Sequence, residues 1–434
     1  MAAAARQGRN GGGHKLRWKT ETTCDSPTRD NPLTIRYFLY KMSIYTDKGL
    51  NMTDALRLSK FMYETIAGGH TNQLPISSVC NAQCIFCSNN LNPFPIYREG
   101  FRPLEDIKKG IALLSDSSEI RLGDSLPGRI SEGEALLHPE LFTVLKLIRD
   151  RFPSTPIQIS TNGIRLTKDF IEKLVPFQPL KFTISYHSDN PEYWSRIFSQ
   201  HVDNYKIARN SFFYLQKHNF DTHKFAIEGA LVPMPKMVGY DDIENTIKYL
   251  RTFTRTIIAY LPGYSFKARP ATKNILDINF SQTSSFMTEM RKKYRADISV
   301  FPDLLKPLSF NPTPVMKETF SSGFKNVLWI SSEAAYAKLK KLIGDYAPFV
   351  PNDHYIFMAK NSTYRGNIIC SGLLMVDDYR TTVAKALHEL GKRGIKADLI
   401  ILPKMSFDRY GDDLKCDNFE KLREEFNIPV WLKN

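Results

Sequence analysis

Val79-Cys80-Asn81-Ala82-Gln83-Cys84-Ile85-Phe86-Cys87 follows the apolar run from Leu74 and sets three thiols in a C-x-x-x-C-x-x-C spacing. Three thiolates on one short loop leave one corner of a cubic iron–sulfur cluster without a protein ligand, and that iron is then open to a small molecule. A structural zinc site would need a fourth protein ligand. The remaining cysteines, Cys24, Cys370 and Cys416, lie far from the triplet and from one another in sequence, and no histidine follows it at finger spacing. A fourth ligand brought in by the tertiary fold is the alternative. The same scatter argues against a second, auxiliary cluster.

With Phe86 immediately before the last cysteine, the loop resembles the signature of the radical S-adenosylmethionine superfamily. The resemblance implies that Cys80, Cys84 and Cys87 ligate a 4Fe-4S cluster whose open iron is chelated by the amino and carboxylate groups of S-adenosylmethionine. One electron then yields a 5′-deoxyadenosyl radical, which takes a hydrogen atom from the substrate. The protein's tasks reduce to ligating the cluster, orienting the methionyl group and keeping out water and oxygen.

Further residues extend the resemblance. Ser131-Glu132-Gly133-Glu134-Ala135-Leu136-Leu137-His138-Pro139 is similar to the family's Gly-Gly-Glu-Pro segment, with Glu132 in place of its first glycine and Ala135 in place of its proline. By that match Gly133 and Glu134 receive the methionyl ammonium on backbone groups. Ser160-Thr161-Asn162-Gly163 resembles the strand ending that contacts the ribose or carboxylate, with Ser160 and Asn162 as its polar groups and Ser185 at the matching place one strand on. Arg196 matches an arginine that pairs with the methionyl carboxylate. His187, Glu228 and Tyr260 are candidates for substrate contact or proton handling, and a structural reading of each stands equally open.

At 434 residues, 42% hydrophobic and 24% charged, the chain has the size and composition of a two-domain globular protein. No run of 18 apolar residues suits a membrane span. Six cysteines in so long a chain fit a reducing cytoplasm. The net charge of +14 favours anionic partners: phosphorylated metabolites, nucleotides, nucleic acid, or an acidic electron donor such as a flavodoxin or ferredoxin. Lysines and arginines are spread out, with short clusters at Arg291–Lys293 and Lys338–Lys341, which reads as a solvated basic surface rather than a nucleic-acid stripe.

Residues 1–31, rich in Ala and Gly at the start, read as a disordered tail, and 32–71 as a helical lead-in with Met52-Thr53-Asp54 as a cap. From 72 to 290 short β-rich runs alternate with helical spacing, the pattern of a parallel α/β sheet. The resemblance makes this a partial (β/α)6 barrel. The expected strands are Leu74 to Val79, one within Ile120 to Ile130, Ile157 to Thr161, Phe182 to His187, Phe225 to Val232 and Thr256 to Leu261. Period two puts Gln158, Ser160 and Asn162 on one face, and Thr183, Ser185 and His187 on another, both toward the lumen, while the face of Glu228 is left open. Residues 291–323 read as a linker. Residues 324–434 read as a smaller C-terminal α/β domain; with Gly366 to Leu374, Asp377-Asp378 and the apolar run Ala397 to Leu402-Pro403, it resembles a domain of unknown function behind the radical core of bacterial iron–sulfur oxidoreductases. Cys370 within it reads as a small buried hydrophobe.

The combined expectation is an oxygen-sensitive enzyme that abstracts hydrogen from a small polar metabolite, anionic in line with the basic field, in a tailoring or biosynthetic step. A peptide-modifying maturase is the rival within the class. A non-catalytic cluster-containing binding or sensor protein is the rival outside it.

Overall fold

The computed structural model describes residues 72–94, 96, 98, 100–116, 119–124, 130–222, 225–305 and 310–433. The expectations for residues 1–71 lie outside them.

Six parallel strands form the first sheet: β1 (Ile120–Leu122), β2 (Ile157–Thr161), β3 (Leu180–Ser185), β4 (Phe225–Leu231), β5 (Thr256–Tyr260) and β6 (Asp297–Phe301). They pair in chain order. Every connection after β1 carries a helix, so each strand lies beside its sequence neighbour, as in an open βα barrel. Ile157, Ile159, Leu180, Phe182, Ile184, Ile257, Ala259, Ile298 and Val300 are buried. They pack in one core with the helices. A Cβ on Gly229 would meet Leu250 Cδ1 at 2.8 Å, so odd-numbered β4 positions face the helix Pro235–Arg251 and Glu228 faces the lumen. There Gln158 Nε2 donates to Thr183 Oγ1 at 2.9 Å, and Thr183 Oγ1 donates to Glu228 Oε2 at 2.9 Å.

Two expectations change. Leu74 to Val79 is an extended edge rather than a full strand: Leu74 N donates to Arg121 O at 2.8 Å and Arg121 N to Asn72 O at 3.0 Å. The next donor of such a ladder, Ile76 N, goes to the Glu132 carboxyl at 3.3 Å, and Ser77 pairs antiparallel with Phe101. The stretch 291–323, expected as a linker, holds the end of the helix Phe280–Tyr294, all of β6 and the helix Thr313–Ser321. β6 pairs with β5 from Thr256↔Asp297 to Tyr260↔Phe301 and completes the six.

The second unit is a smaller parallel sheet of β7 (Asn326–Ser332), β8 (Asp353–Ala359), β9 (Leu399–Pro403) and β10 (Val430–Lys433), in the order β10-β9-β7-β8. Leu328, Ile330, Ile400 and Leu402 pack with Val376, Tyr379 and Val383 of the helix Val376–Lys392. Val327, Trp329, Leu399 and Ile401 pack with Met316, Leu339 and Ile343. Both faces are thus covered, as an all-parallel sheet requires. Asn361 to Leu374 leaves this unit and runs onto the barrel.

Candidate active site

The cysteine loop is held from outside by the turn that ends the helix Pro191–Phe198. Gln83 N donates to Phe198 O at 3.0 Å, Ile85 N to Ile197 O at 3.1 Å, and Ser199 Oγ to Gln83 O at 3.0 Å. Ser199 adopts φ 52°, which turns the chain back toward the loop. From the barrel side Asn162 Nδ2 donates to Asn81 Oδ1 at 2.7 Å, and Asn162 also contributes to the surroundings of Cys80. All three thiols are free. Burial pushes the Cys84 thiol up, and its proximity to Cys87 and Cys80 pushes it further.

Among the described residues no set of three or more His, Cys, Asp or Glu side chains converges on a single ion. Tetrahedral zinc at about 2.3 Å from each sulfur would need such convergence. Three thiols on one loop are the donor set of an iron–sulfur cluster with one open iron.

The segment behind the loop is pressed against it. Gly133 N donates to Ser77 O at 2.7 Å and Glu134 N to Val79 O at 2.8 Å. A Cβ on Gly133 would lie 2.1 Å from Val79 O, so only glycine lets the two backbones meet. The Glu134 carboxyl is buried and takes Thr161 Oγ1 at 2.8 Å and Leu136 N at 3.3 Å on Oε1, and Asn162 N at 2.8 Å on Oε2. Burial raises its pKa to about 7. Its side chain therefore braces the strand ends, and its backbone N–H is taken by Val79 O. Glu132 is also buried and accepts Ile76 N at 3.3 Å.

The remaining expected residues divide. Ser160 donates to the Asp124 carboxylate, and Ser185 ends β3 on the lumen face. Arg196 is exposed on the helix Pro191–Phe198 and makes no ion pair among the described residues, because Trp194, Ile197 and Phe198 take that helix's buried face. Glu228 pairs with Lys181 at 2.9 Å. His187 is 2% exposed, its Nδ1 accepts Val232 N at 2.9 Å, and its Nε2 has no partner. Burial lowers its pKa to about 3, so it is neutral. Its ring meets Phe86 edge-on at 4.5 Å and stacks on Phe198 at 5.1 Å. It props Phe86 from below instead of projecting into open space.

Phe86, Cys84 and Cys87 line a cavity of about 540 Å³, together with Tyr260 from β5. Its opposite wall comes from the C-terminal unit, through Tyr364, Asn367, Ile368, Ile369, Cys370 and Leu373. Cys370 is half-buried on that wall and not a sealed core residue. The Gly366 to Leu374 stretch reads in sequence as part of a separate domain, and nothing local in it signals the long-range docking.

Residues 74–267 match the model of the Radical SAM superfamily. The FeMo cofactor biosynthesis protein NifB of Methanocaldococcus jannaschii is 25% identical over 217 residues, covering 46% of this chain and 70% of that protein. The NifB of Chlorobaculum tepidum is 23% identical over 128 residues, and the match spans 29% of this chain and only 30% of that relative's length. Among solved structures, Streptococcus suis SuiB bound to precursor peptide SuiA aligns at TM-score 0.40 and 13% identity, over 61% of this chain and 59% of that one. Methylornithine synthase aligns at TM-score 0.33 and 14% identity, over 64% and 85%. Residues 74–267 thus form a radical SAM domain, the chain is an enzyme, and its cofactors are a 4Fe-4S cluster and S-adenosylmethionine. No helix among the described residues is long and apolar enough to cross a membrane.

Proposed function

We propose that this enzyme, with its radical SAM domain over residues 74–267, abstracts a hydrogen atom from a substrate lodged in the cavity between the cysteine loop and the C-terminal wall. One observation carries the reading: Cys84 and Cys87 line the same cavity as Tyr260 and Leu373, so a cluster ligated there would look into enclosed space large enough for an organic molecule.

When bound, the cluster and S-adenosylmethionine supply a 5′-deoxyadenosyl radical. This chain's residues do the positioning. Cys80, Cys84 and Cys87 would ligate the cluster, while the turn Ile197–Ser199 and Asn162 hold their loop from two sides. Gly133 lets the next segment lie against that loop, and Ser160, Asn162 and Ser185 carry polar groups at the strand ends. Phe86 and the C-terminal wall exclude water. The electron donor is proposed as an acidic carrier, matched to the net charge of +14. The step is placed in biosynthetic tailoring.

Protein reconstituted with iron and sulfide under argon, reduced with dithionite and given S-adenosylmethionine, should release 5′-deoxyadenosine. Cys84→Ala should lose both the cluster absorbance and that product. A variant that keeps turning over without this thiol would reject the reading, and a sensor protein would hold the cluster yet release nothing.

A further inference from the structure

The C-terminal wall is fixed in place. Tyr264 N donates to Asn367 Oδ1 at 2.8 Å, while Asn367 Nδ2 donates to Pro262 O at 3.0 Å and Leu276 O at 3.1 Å. Phe266 N donates to Tyr364 O at 2.7 Å, and Tyr364 OH donates to Asn92 Oδ1 at 3.2 Å. The backbones touch at Gly366, where a Cβ would lie 1.8 Å from Tyr264 O. At Gly263 an added Cβ would lie 2.6 Å from Ile368 Cδ1. A segment held this tightly is a permanent part of the cavity.

The charge of the cavity contrasts with that of the chain. The sequence carries 59 Lys and Arg against 45 Asp and Glu, yet among the described residues the lining includes no Lys or Arg. It offers Phe86, Leu91, Val232, Phe280, Ile368 and Leu373, with amides and hydroxyls between them, the thiols of Cys84, Cys87 and Cys370, and one acidic group, the buried Glu132. An anionic group placed there would lose its water and meet the Glu132 side chain but no Lys or Arg of the lining, Arg98 being engaged at the edge by Asn89 O beside Cys87, which is unfavourable. At the rim Tyr260 stacks with Phe301, its partner across the β5–β6 register, at 5.9 Å between centroids. Both rings remain exposed, by 45% and 54%, and so present a paired aromatic face beside the cavity.

We infer that the substrate enters as an uncharged, predominantly apolar group, received at the rim by Tyr260 and Phe301 and selected by the wall Tyr364–Leu373. This departs from the small polar metabolite expected from the sequence and from the anionic character that the net charge of +14 favours. It rests on the reading of the cavity as the active site, and makes the C-terminal unit a specificity element of the barrel enzyme.

The test uses the full-length, cluster-loaded protein with S-adenosylmethionine in anaerobic equilibrium dialysis against three probes of one skeleton: 4-phenyl-1-butanol, 4-phenylbutyrate and 4-phenylbutylamine. The alcohol should bind at least about tenfold more tightly than the carboxylate, because only the latter brings an unpaired charge into an apolar site. The alcohol should also bind more tightly than the amine. Leu373→Lys, which sets a cation on the wall, should reverse the order of alcohol and carboxylate while iron content is retained. Wild-type protein that prefers either charged probe overturns the inference, and so does a Leu373→Lys protein that loads iron and keeps the wild-type order. If Leu373→Lys fails to load iron, the wild-type ranking decides alone. Release of 5′-deoxyadenosine from the same samples separates the two readings: cleavage with the wrong ranking sinks only the substrate class, and the right ranking without cleavage sinks only the activity.

Discussion

The Glu134 carboxyl accepts the backbone N–H of Asn162 at 2.8 Å, tying the segment that presses on the cysteine loop to the end of β2. Two further donors, Thr161 Oγ1 and Leu136 N, meet the same carboxyl. Glu134→Gln leaves one acceptor oxygen for three donors, and the loss should cost about 1–3 kcal/mol in urea unfolding of the metal-free protein. The pH dependence has a definite sign. Burial raises the folded pKa to about 7, above the ordinary 4.5, so the folded state holds the proton more tightly. The stability this contributes is fully present below the ordinary value and is lost as pH rises through about 7. The wild-type unfolding midpoint should therefore fall across that window more steeply than that of Glu134→Gln. Parallel slopes would show that Glu134 does not titrate there.

Gly133→Ala tests the close contact behind the cluster loop. The added Cβ would meet Val79 O at 2.1 Å and Val79 C at 2.5 Å, both backbone atoms that no side-chain rotation can clear. The segments must separate, breaking the Gly133 N to Ser77 O and Glu134 N to Val79 O bonds, at about 2–4 kcal/mol. Iron and acid-labile sulfide after reconstitution should fall well below wild type. Full cluster loading in this variant would mean the loop does not depend on its neighbour.

Cys370 shares the cavity with Cys84 and Cys87, and so offers a direct test of an open against a closed cluster. An enzyme with three protein ligands should load the same iron when Cys370→Ala is reconstituted. A cluster closed by a fourth thiolate should lose iron or change its electron paramagnetic resonance signal. Cys80→Ala in parallel sets the scale for losing a true ligand.

Asn367→Ala should loosen the wall from the barrel. Three hydrogen bonds cross at this one side chain, each contributing about 1 kcal/mol net. Hydrogen–deuterium exchange at the Tyr264 amide, whose partner is removed, should speed up, with the core of β7 unaffected. Unchanged protection at Tyr264 would mean that the close packing at Gly366 alone holds the wall.

The sequence carried the barrel through period two: the buried isoleucines of β2 and the polar chain Gln158, Thr183 and Glu228 fall on opposite faces. It carried the thiols because their spacing is local. The alternation in β6, with Ile298 and Val300 buried, was also present, but the edge strand expected at Leu74 to Val79 already filled the count of six. The surroundings of Arg196 and His187 are not legible in the sequence, for one reason. Which face of a helix or strand end is buried depends on the partner surface, here the aromatic cluster of Phe86, Phe198 and Trp194, and no single segment encodes it. The C-terminal wall was hidden because Asn367 meets Pro262 across 105 residues of chain.

His187 is the case in which geometry argues against chemistry. Its Nδ1 is occupied by the Val232 N–H, its rings on either side are Phe86 and Phe198, and burial lowers its pKa to about 3. With the folded value below the ordinary 6.5, its contribution to stability is present above that value and is lost as pH falls toward the folded one, the reverse of Glu134. His187→Ala should cost about 2–4 kcal/mol, from an orphaned Val232 N–H and a cavity under Phe86. His187→Gln, whose side-chain oxygen can still accept that N–H, should recover part of the loss. The decisive measurement is the pH profile of 5′-deoxyadenosine release. If His187 only props Phe86, the profile keeps its shape in His187→Gln and changes in height alone. A titration limb that disappears with the histidine would show that it carries a proton in the reaction.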